Sequence, residues 1–367
     1  MKIVSTSYVN TPEYADPESW LDRISFYTGI LEELAKQYQV ESIEQINYTG
    51  KLKRNGVLYH FLNYKRPKQY FPFKLHRYIK KIKPDIVFVN GFIFPLQTIQ
   101  LKWKLGKNVK IIVINHAEQP SRGIRKFLQR IADRYVQTYF FTSGEMGIEW
   151  VEKEIIAHER KIEEVMEVSS VFNVIDKKTA LSRTNVTGNP VFLWVGRLNT
   201  NKDPLTVVRA FSEFVQHELS SKLYMIYHTE DLKEEVLQLI QANSQLQDKV
   251  IMIGKVSHTE LLYWYNSSDF IISASRYEGS GVSVCEAMSC GCIPILTNIP
   301  SFRMMTGRGK CGLLYEPGNT EHLLPTLLKT NQMNIEIERE KTLKQFDDEL
   351  SFPAIAKKIT KVIDSIS

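Results

Sequence analysis

The run Phe192-Leu193-Trp194-Val195-Gly196-Arg197-Leu198-Asn199-Thr200-Asn201-Lys202-Asp203-Pro204 reads as a buried strand, a turn and the start of a helix. Four consecutive apolar residues suit a strand covered on both faces. Asp203 can accept from a first-turn amide, and Pro204 fits the first helical position, where its missing N–H is not needed. This punctuation puts Lys202 just before a helix and Arg197 at a strand end five residues earlier. Both cations can then meet at the C-terminal edge of a parallel sheet, where a guanidinium fork and a point charge suit a diphosphate. Two unrelated surface cations satisfy the same spacing.

Outward from this run the rhythm repeats. Short runs rich in Val, Ile and Phe alternate with amphipathic stretches of helical period, which predicts parallel sheets covered by helices. Strands are expected at 2–8, 57–64, 85–90, 109–116 and 138–143, then at 190–196, 222–227, 249–253, 269–274 and 293–296. Helices are expected at 17–37, 73–83, 95–105 and 121–134, with later ones starting near 204, 232, 259 and 282 and more helix after 320. The polar stretch 177–190, with Gly188 and Pro190, reads as a linker. The expected division is a first domain 1–176, a second 177–350, and a last amphipathic segment 351–367 returning to the first domain. Two doubly wound domains place a ligand at the C-terminal edges of their strands.

Composition agrees with 367 residues arranged as two domains. Apolar residues make up 43% and charged residues 24%, which excludes disorder or coiled coil for the whole chain. No apolar run reaches the roughly 18 residues of a spanning helix, and residues 1–12 lack a signal-peptide core, so the expected location is the cytoplasm. The sequons at Asn47, Asn185 and Asn266 then read as chance. Cys285, Cys290, Cys292 and Cys311 have neither zinc nor disulfide-framework spacing and read as small core residues.

The net charge of +6 hides an asymmetry. Residues 51–110 hold fifteen Lys or Arg and one acid, Asp85, so this block carries +14 and the other 307 residues −8. Aromatic residues are interleaved with it: Tyr59, Phe61, Tyr64, Tyr70, Phe71, Phe73 and Tyr78. On the predicted helix 73–83, Lys74, Arg77 and Lys81 share a face beside Lys80, and Leu75, Tyr78 and Ile82 form an apolar stripe. A solvated face, an anionic membrane surface and a phosphorylated acceptor all fit. Nucleic acid fits less well, because no recognition motif accompanies the charge. The partner expected for Lys74, Arg77, Lys80 and Lys81 is the inner membrane face, bound reversibly, with a lipid-linked or growing glycan as acceptor.

Three more stretches carry candidate chemistry. In Arg276-Tyr277-Glu278-Gly279-Ser280-Gly281-Val282, the glycines let backbone approach a ligand, and the helix start favours an anion. Glu278 and Glu286, eight residues apart, would repel a phosphate unless each faces another part of the ligand; a carboxylate on a ribose diol and another on a sugar satisfy this. Glu286 can equally serve the helix dipole. His116, closing the run Val113-Ile114-Asn115-His116, can donate to or orient a sugar hydroxyl, although a structural histidine is the commoner case. The turn Gly254-Lys255-Val256 offers backbone groups to a nucleobase edge. No Asp-x-Asp pair stands at a strand end, so no metal or other cofactor is expected; two protein cations can neutralise a diphosphate instead.

With Gly196, Arg197, Leu198 and Lys202, the Gly254 turn, and the acidic pair from Glu278 to Glu286 laid out, the stretch from Phe192 to Pro317 resembles the retaining family 4 glycosyltransferases. The resemblance implies a GT-B fold, an α/β pair of Rossmann-like doubly wound domains facing a central cleft. It further implies transfer of a sugar from a nucleotide diphosphate sugar to an acceptor hydroxyl with retained configuration, in surface polysaccharide or glycolipid synthesis. By that resemblance Arg197 and Lys202 hold the donor diphosphate, Glu286 the ribose and Glu278 the neighbourhood of the donor sugar, while His116 matches the family histidine at a strand end. Gly254, Lys255, Val256, Gly279, Ser280, Gly281 and Val282 fall on the remaining donor contacts. Two stretches depart from the family: Thr6-Ser7-Tyr8-Val9-Asn10-Thr11-Pro12 lacks the glycine pair after the first strand, and Tyr227-His228-Thr229-Glu230 replaces a glycine-rich turn. A nucleotide-sugar epimerase on the same architecture and a catalytically silent binding subunit are the alternatives.

Overall fold

The structure, a computed structural model, describes residues 1–64 and 71–366. Lys65, Arg66, Lys68 and Tyr70 of the basic block lie outside the described residues. The chain forms two units: Met1–Ser169 together with the helix Phe352–Ile366, and Ser170–Ser351. The division falls at Ser169/Ser170, upstream of the expected 176/177.

The first unit contains β1 (Lys2–Ser7), β2 (Gln39–Glu44), β3 (Gly50–Arg54), β4 (Val57–Phe61), β5 (Ile86–Asn90), β6 (Lys110–Ile114), β7 (Thr138–Phe141) and β8 (Ile162–Glu164). They form one sheet in the order β3-β4-β2-β1-β5-β6-β7-β8. All pairings are parallel except the β3–β4 hairpin, which turns at Asn55 and Gly56, both with positive φ. The reading above omitted β2, β3 and β8. In β2 the polar Glu41 and Ser42 mask the strand pattern, yet both are buried, and Glu41 accepts from His60 Nε2 at 2.6 Å. Helix 17–37 is in fact two helices, Pro17–Arg23 and Ser25–Leu34, parted at Ile24.

The second unit contains β9 (Val191–Gly196), β10 (Lys222–Tyr227), β11 (Val250–Gly254), β12 (Phe270–Ser273), β13 (Ile293–Thr297) and β14 (Leu313–Tyr315). Its sheet is wholly parallel, in the order β11-β10-β9-β12-β13-β14. Numbered by chain order this is 3-2-1-4-5-6, the doubly wound Rossmann arrangement. The order reverses between β9 and β12, as it does between β1 and β5 in the first unit, and at such a point the loops leaving two neighbouring strands diverge and open a crevice. Phe192 fixes β9 in the core by stacking on Phe270 of β12 (5.2 Å) and meeting Phe211 and Phe214 edge-on. All four cysteines are buried, free thiols in this unit.

One expectation is corrected. The stretch 177–190 is not simply a linker: Lys177–Thr184 is a helix that packs on the helix His258–Ser267. Asp176 caps it by accepting from Thr179 N, and Asn185 ends it in the left-handed conformation. The polar composition that suggested a linker belongs to its solvent face, while Ala180 is buried.

The helix Phe352–Ile366 packs on Ser25–Leu34, burying Ile355, Ile359 and Ile363. The approach is close because Gly29 has no side chain: a Cβ there would lie 2.5 Å from the Phe352 ring. Gly29→Leu should therefore displace the helix and destabilise the first unit by ~1–3 kcal/mol, as overpacked sites do. A thermal melt with unchanged midpoint, or unchanged amide exchange in Ser25–Leu34, would show the contact to be dispensable.

Candidate functional site

In the second unit the loops after β9 and β12 are stitched together. Asn201 accepts from Arg276 N through its carbonyl (2.8 Å) and donates its side-chain amide to Tyr277 O (3.0 Å). Next to this stitch, Lys202 forms an ion pair with Glu278, both side chains mostly buried. Asp203 caps the following helix and also takes Arg276 at 2.8 Å. Arg197 is exposed, and its guanidinium has no partner among the described residues. Thus one cation is held by an acid and one is free, both on loops leaving the order reversal.

The helix Val282–Ser289 starts at the same place. Gly281 has φ of +55°, and a Cβ would meet the Phe302 ring at 2.7 Å, so conformation and space both require glycine. Gly279, Ser280 and Gly281 are buried and Val282 half-buried. The first-turn amides of this helix provide positive potential at the crevice. Glu286 lies further in, its side chain only 5% exposed. Oε1 accepts from His258 Nε2 at 2.6 Å and Oε2 from the Tyr265 hydroxyl at 3.1 Å. Burial, reinforced by Glu286, pushes the Tyr265 phenol well up, so it remains a donor. His258 is two residues past Val256 and stacks on Phe172 at 4.8 Å. Through it the Gly254-Lys255-Val256 turn, where Gly254 has φ of +83° and Lys255 is exposed, is tied to Glu286.

His116 belongs to the first unit, just past β6, with its side chain 37% exposed. Nδ1 pairs with buried Glu167, and Nε2 lies 3.1 Å from Asn90 Oδ1. The Asn90 amide orientation is fixed, because Nδ2 donates to the Thr6 carbonyl at 3.2 Å and to Ser5 Oγ at 3.0 Å. Both ring nitrogens therefore face acceptors, which only a doubly protonated imidazolium satisfies. Burial opposes the charged ring, but Glu167, by charge and hydrogen bond, and Glu118 outweigh it and hold the pKa above the ordinary value. Glu118 also accepts from His116 N at 2.7 Å.

The structure thus brings Arg197, Lys202, Glu278, Gly279, Ser280, Gly281 and Val282 to one crevice, sets Glu286 behind it with the Gly254 turn attached, and places His116 in the other unit. Sequence reasoning missed His258, Tyr265, Asn90 and Glu167. Asn90 carried a signal, as a polar residue ending an apolar strand ahead of glycine. Glu167 carried none, because its partner is fifty residues away.

Residues 176–344 match the family model of glycosyl transferases group 1. The GDP-mannose:cellobiosyl-diphosphopolyprenol alpha-mannosyltransferase of Xanthomonas oryzae pv. oryzae is 28% identical over 142 residues, 39% of this chain and 37% of that protein. The chain therefore matches little more than a third of that relative's length. Among solved structures, a glycosyltransferase from Rickettsia africae superposes with a TM-score of 0.75 at 20% identity, covering 100% of this chain and 98% of the other. Anabaena HepE in complex with UDP and glucose gives 0.71 at 13% identity, each chain covered completely. The fold is GT-B, with two Rossmann-like units.

The imidazolium makes a testable demand. A pKa raised on folding contributes stability that is fully present below the ordinary imidazole value near 6.5 and is lost as pH rises through the folded value. The His116 ring should titrate above 6.5 by NMR, and Glu167→Gln should bring it down. A wild-type ring that is neutral at pH 6 would refute the assignment.

Proposed function

We propose that this chain, whose residues 176–344 match the glycosyl transferases group 1 family, is a glycosyltransferase that moves a sugar from a nucleotide diphosphate sugar to an acceptor hydroxyl with retained configuration. The observation that carries this reading is the convergence at the β9/β12 reversal of Arg197, Lys202, Glu278 and the helix start at Gly281, with Glu286 buried behind them. A diphosphate entering the crevice takes Lys202 from Glu278 and recruits the unpaired Arg197. The released Glu278 turns to the donor sugar, and Glu286 accepts from the ribose diol beside His258. As the sugar–phosphate bond breaks, charge grows on the diphosphate, and fixed cations and helix-start amides stabilise that state more than the ground state. These groups do the work without a divalent metal. The departing phosphate oxygen removes the acceptor proton, in keeping with a front-face, retaining course. His116, a charged ring whose Nδ1–H is held by Glu167, turns its Nε2–H from Asn90 to a sugar hydroxyl instead of acting as a base.

The acceptor is a glycan or lipid-linked glycan of a surface polysaccharide or glycolipid, met at the inner membrane face. The first unit supports this. Lys74, Arg77, Lys80 and Lys81 are exposed on the helix Phe73–Ile82, whereas Leu75 and Ile79 of its apolar side are buried in the core. That stripe is therefore unavailable to lipid. Exposed apolar residues come instead from the starts of two helices that each pack on the helix Pro95–Leu105: Phe71 and Phe73, 51% and 59% exposed, and Ile124 and Phe127, 80% and 61% exposed, on Gly123–Asp133. Arg122, Arg125 and Lys126 accompany the latter pair. Apolar side chains ringed by cations suit an anionic bilayer, each cation contributing about 1 kcal/mol near the surface. No helix among the described residues is long and apolar enough to cross a membrane, so attachment would be peripheral.

With excess EDTA present, wild type should release nucleoside diphosphate in the presence of a donor and acceptor pool, whereas Arg197→Ala and Lys202→Ala should lose ~10²–10³-fold in turnover while remaining folded. Glu286→Gln should weaken nucleoside diphosphate binding by calorimetry. Near-normal turnover in either cation variant would remove the clamp. Co-sedimentation with phosphatidylserine vesicles should fall as salt rises and weaken when Lys74, Arg77, Lys80 and Lys81 become Gln; a paired Ile124→Ser and Phe127→Ser change should weaken it even at low salt. Wild type that ignores these vesicles at low salt leaves the basic block a solvated face.

A further inference from the structure

The first unit holds a cavity of about 370 Å³ at the C-terminal ends of β1, β2 and β5, near the lower end of the ~300–1,000 Å³ typical of small-molecule sites. Trp20 and Tyr27 supply aromatic lining, and Glu44, Gln45, Asn90 and His116 supply polar groups. Among the described residues, no Lys or Arg lines it. Among the described lining residues the one cationic group, the His116 ring, is already paired with Glu167. The described Lys and Arg of the basic block, among them Lys74, Arg77, Lys80 and Lys81, are not part of its lining.

The hydrogen-bond inventory sharpens the chemistry. Glu44 receives Trp20 Nε1 at 3.0 Å on one oxygen and Ser42 Oγ at 2.7 Å on the other, which leaves acceptor capacity on both. Gln45 donates to the Ser7 carbonyl at 2.7 Å, so its amide orientation is fixed and Oε1 remains an open acceptor. A wall of unfilled acceptors calls for O–H donors. A phosphate or carboxylate would bring only acceptors and a like charge beside Glu44; a hydroxylated ring would bring donors, and its C–H face suits an indole.

We propose that this cavity binds a neutral, unphosphorylated sugar ring, with Glu44 and Gln45 receiving its hydroxyls and Trp20 covering one face. Its role as the acceptor subsite rests on the transferase reading; its preference for a neutral sugar does not. If the acceptor is lipid-linked, the charged linkage stays outside the cavity and only the terminal sugar enters.

Saturation-transfer NMR on the full chain without donor tests this, with methyl α-glucoside, methyl α-mannoside and glucose 6-phosphate as probes. At least one methyl glycoside should bind, with glucose 6-phosphate at least tenfold weaker. Glu44→Gln and Gln45→Leu should each weaken the glycoside severalfold without lowering the thermal midpoint; the pair guards against one variant that fails to fold. Equal or tighter binding of glucose 6-phosphate, no binding of either glycoside, or binding unaffected by both substitutions would each overturn the proposal. A chain that binds glycoside but no nucleoside diphosphate would keep this subsite and lose the transferase reading instead.

Discussion

Asn201 joins two loops that would otherwise have no reason to stay together. At an order reversal in a parallel sheet the connections depart in opposite directions, and no crossover helix covers the gap. The two hydrogen bonds of Asn201 to the Arg276–Tyr277 backbone close that gap on one side. Lys202 follows Asn201 and Glu278 follows Tyr277, so their pairing is set by this stitch. Glu278 holds the lysine in place by this pairing, and Arg197 has no partner among the described residues. The crevice thereby avoids two adjacent unpaired cations without giving up either of them.

The two units apply one topology to opposite electrostatics. Each sheet reverses order beside its first strand, and each has polar side chains gathered at the strand ends. In the second unit cations stand at the crevice, Lys202 and Arg276 held by acids and Arg197 with no partner among the described residues. In the first, acids and amides line the interior while Lys and Arg occupy the outer helix faces. On the proposed reading, such segregation would sort ligands by charge, with anions at one edge and at an outer surface and uncharged polyols inside.

The fold class was legible because β9, β12 and their turns carry unambiguous punctuation, from the Asp203-Pro204 helix start to the glycines at 279 and 281. For residues within one loop, such as Arg197 and Lys202, spacing alone was enough to place them at the end of β9 and just before the next helix. What escaped were partners supplied by distant elements. Tyr265 and His258 look like ordinary helix residues until the helix is laid beside Glu286, and Glu167 becomes meaningful only when its segment passes His116. Strand β2 was missed for the same reason, since Glu41 is acceptable inside because His60 on β4 and Lys2 on β1 reach it. The helix at 177–184 was hidden by a polar face that suits water as well as a loop would.

The helix Phe352–Ile366 belongs to a unit whose other parts precede the second unit entirely in the chain. On the ribosome, the first sheet emerges with the groove over Gly29 open, and it stays open until all of the second unit has been translated. The second unit is one continuous segment and can complete its core first. Biogenesis is then inverted relative to chain order. For that interval the incomplete unit exposes the apolar surface later covered by Ile355, Ile359 and Ile363, which makes the nascent chain a natural client for holding chaperones.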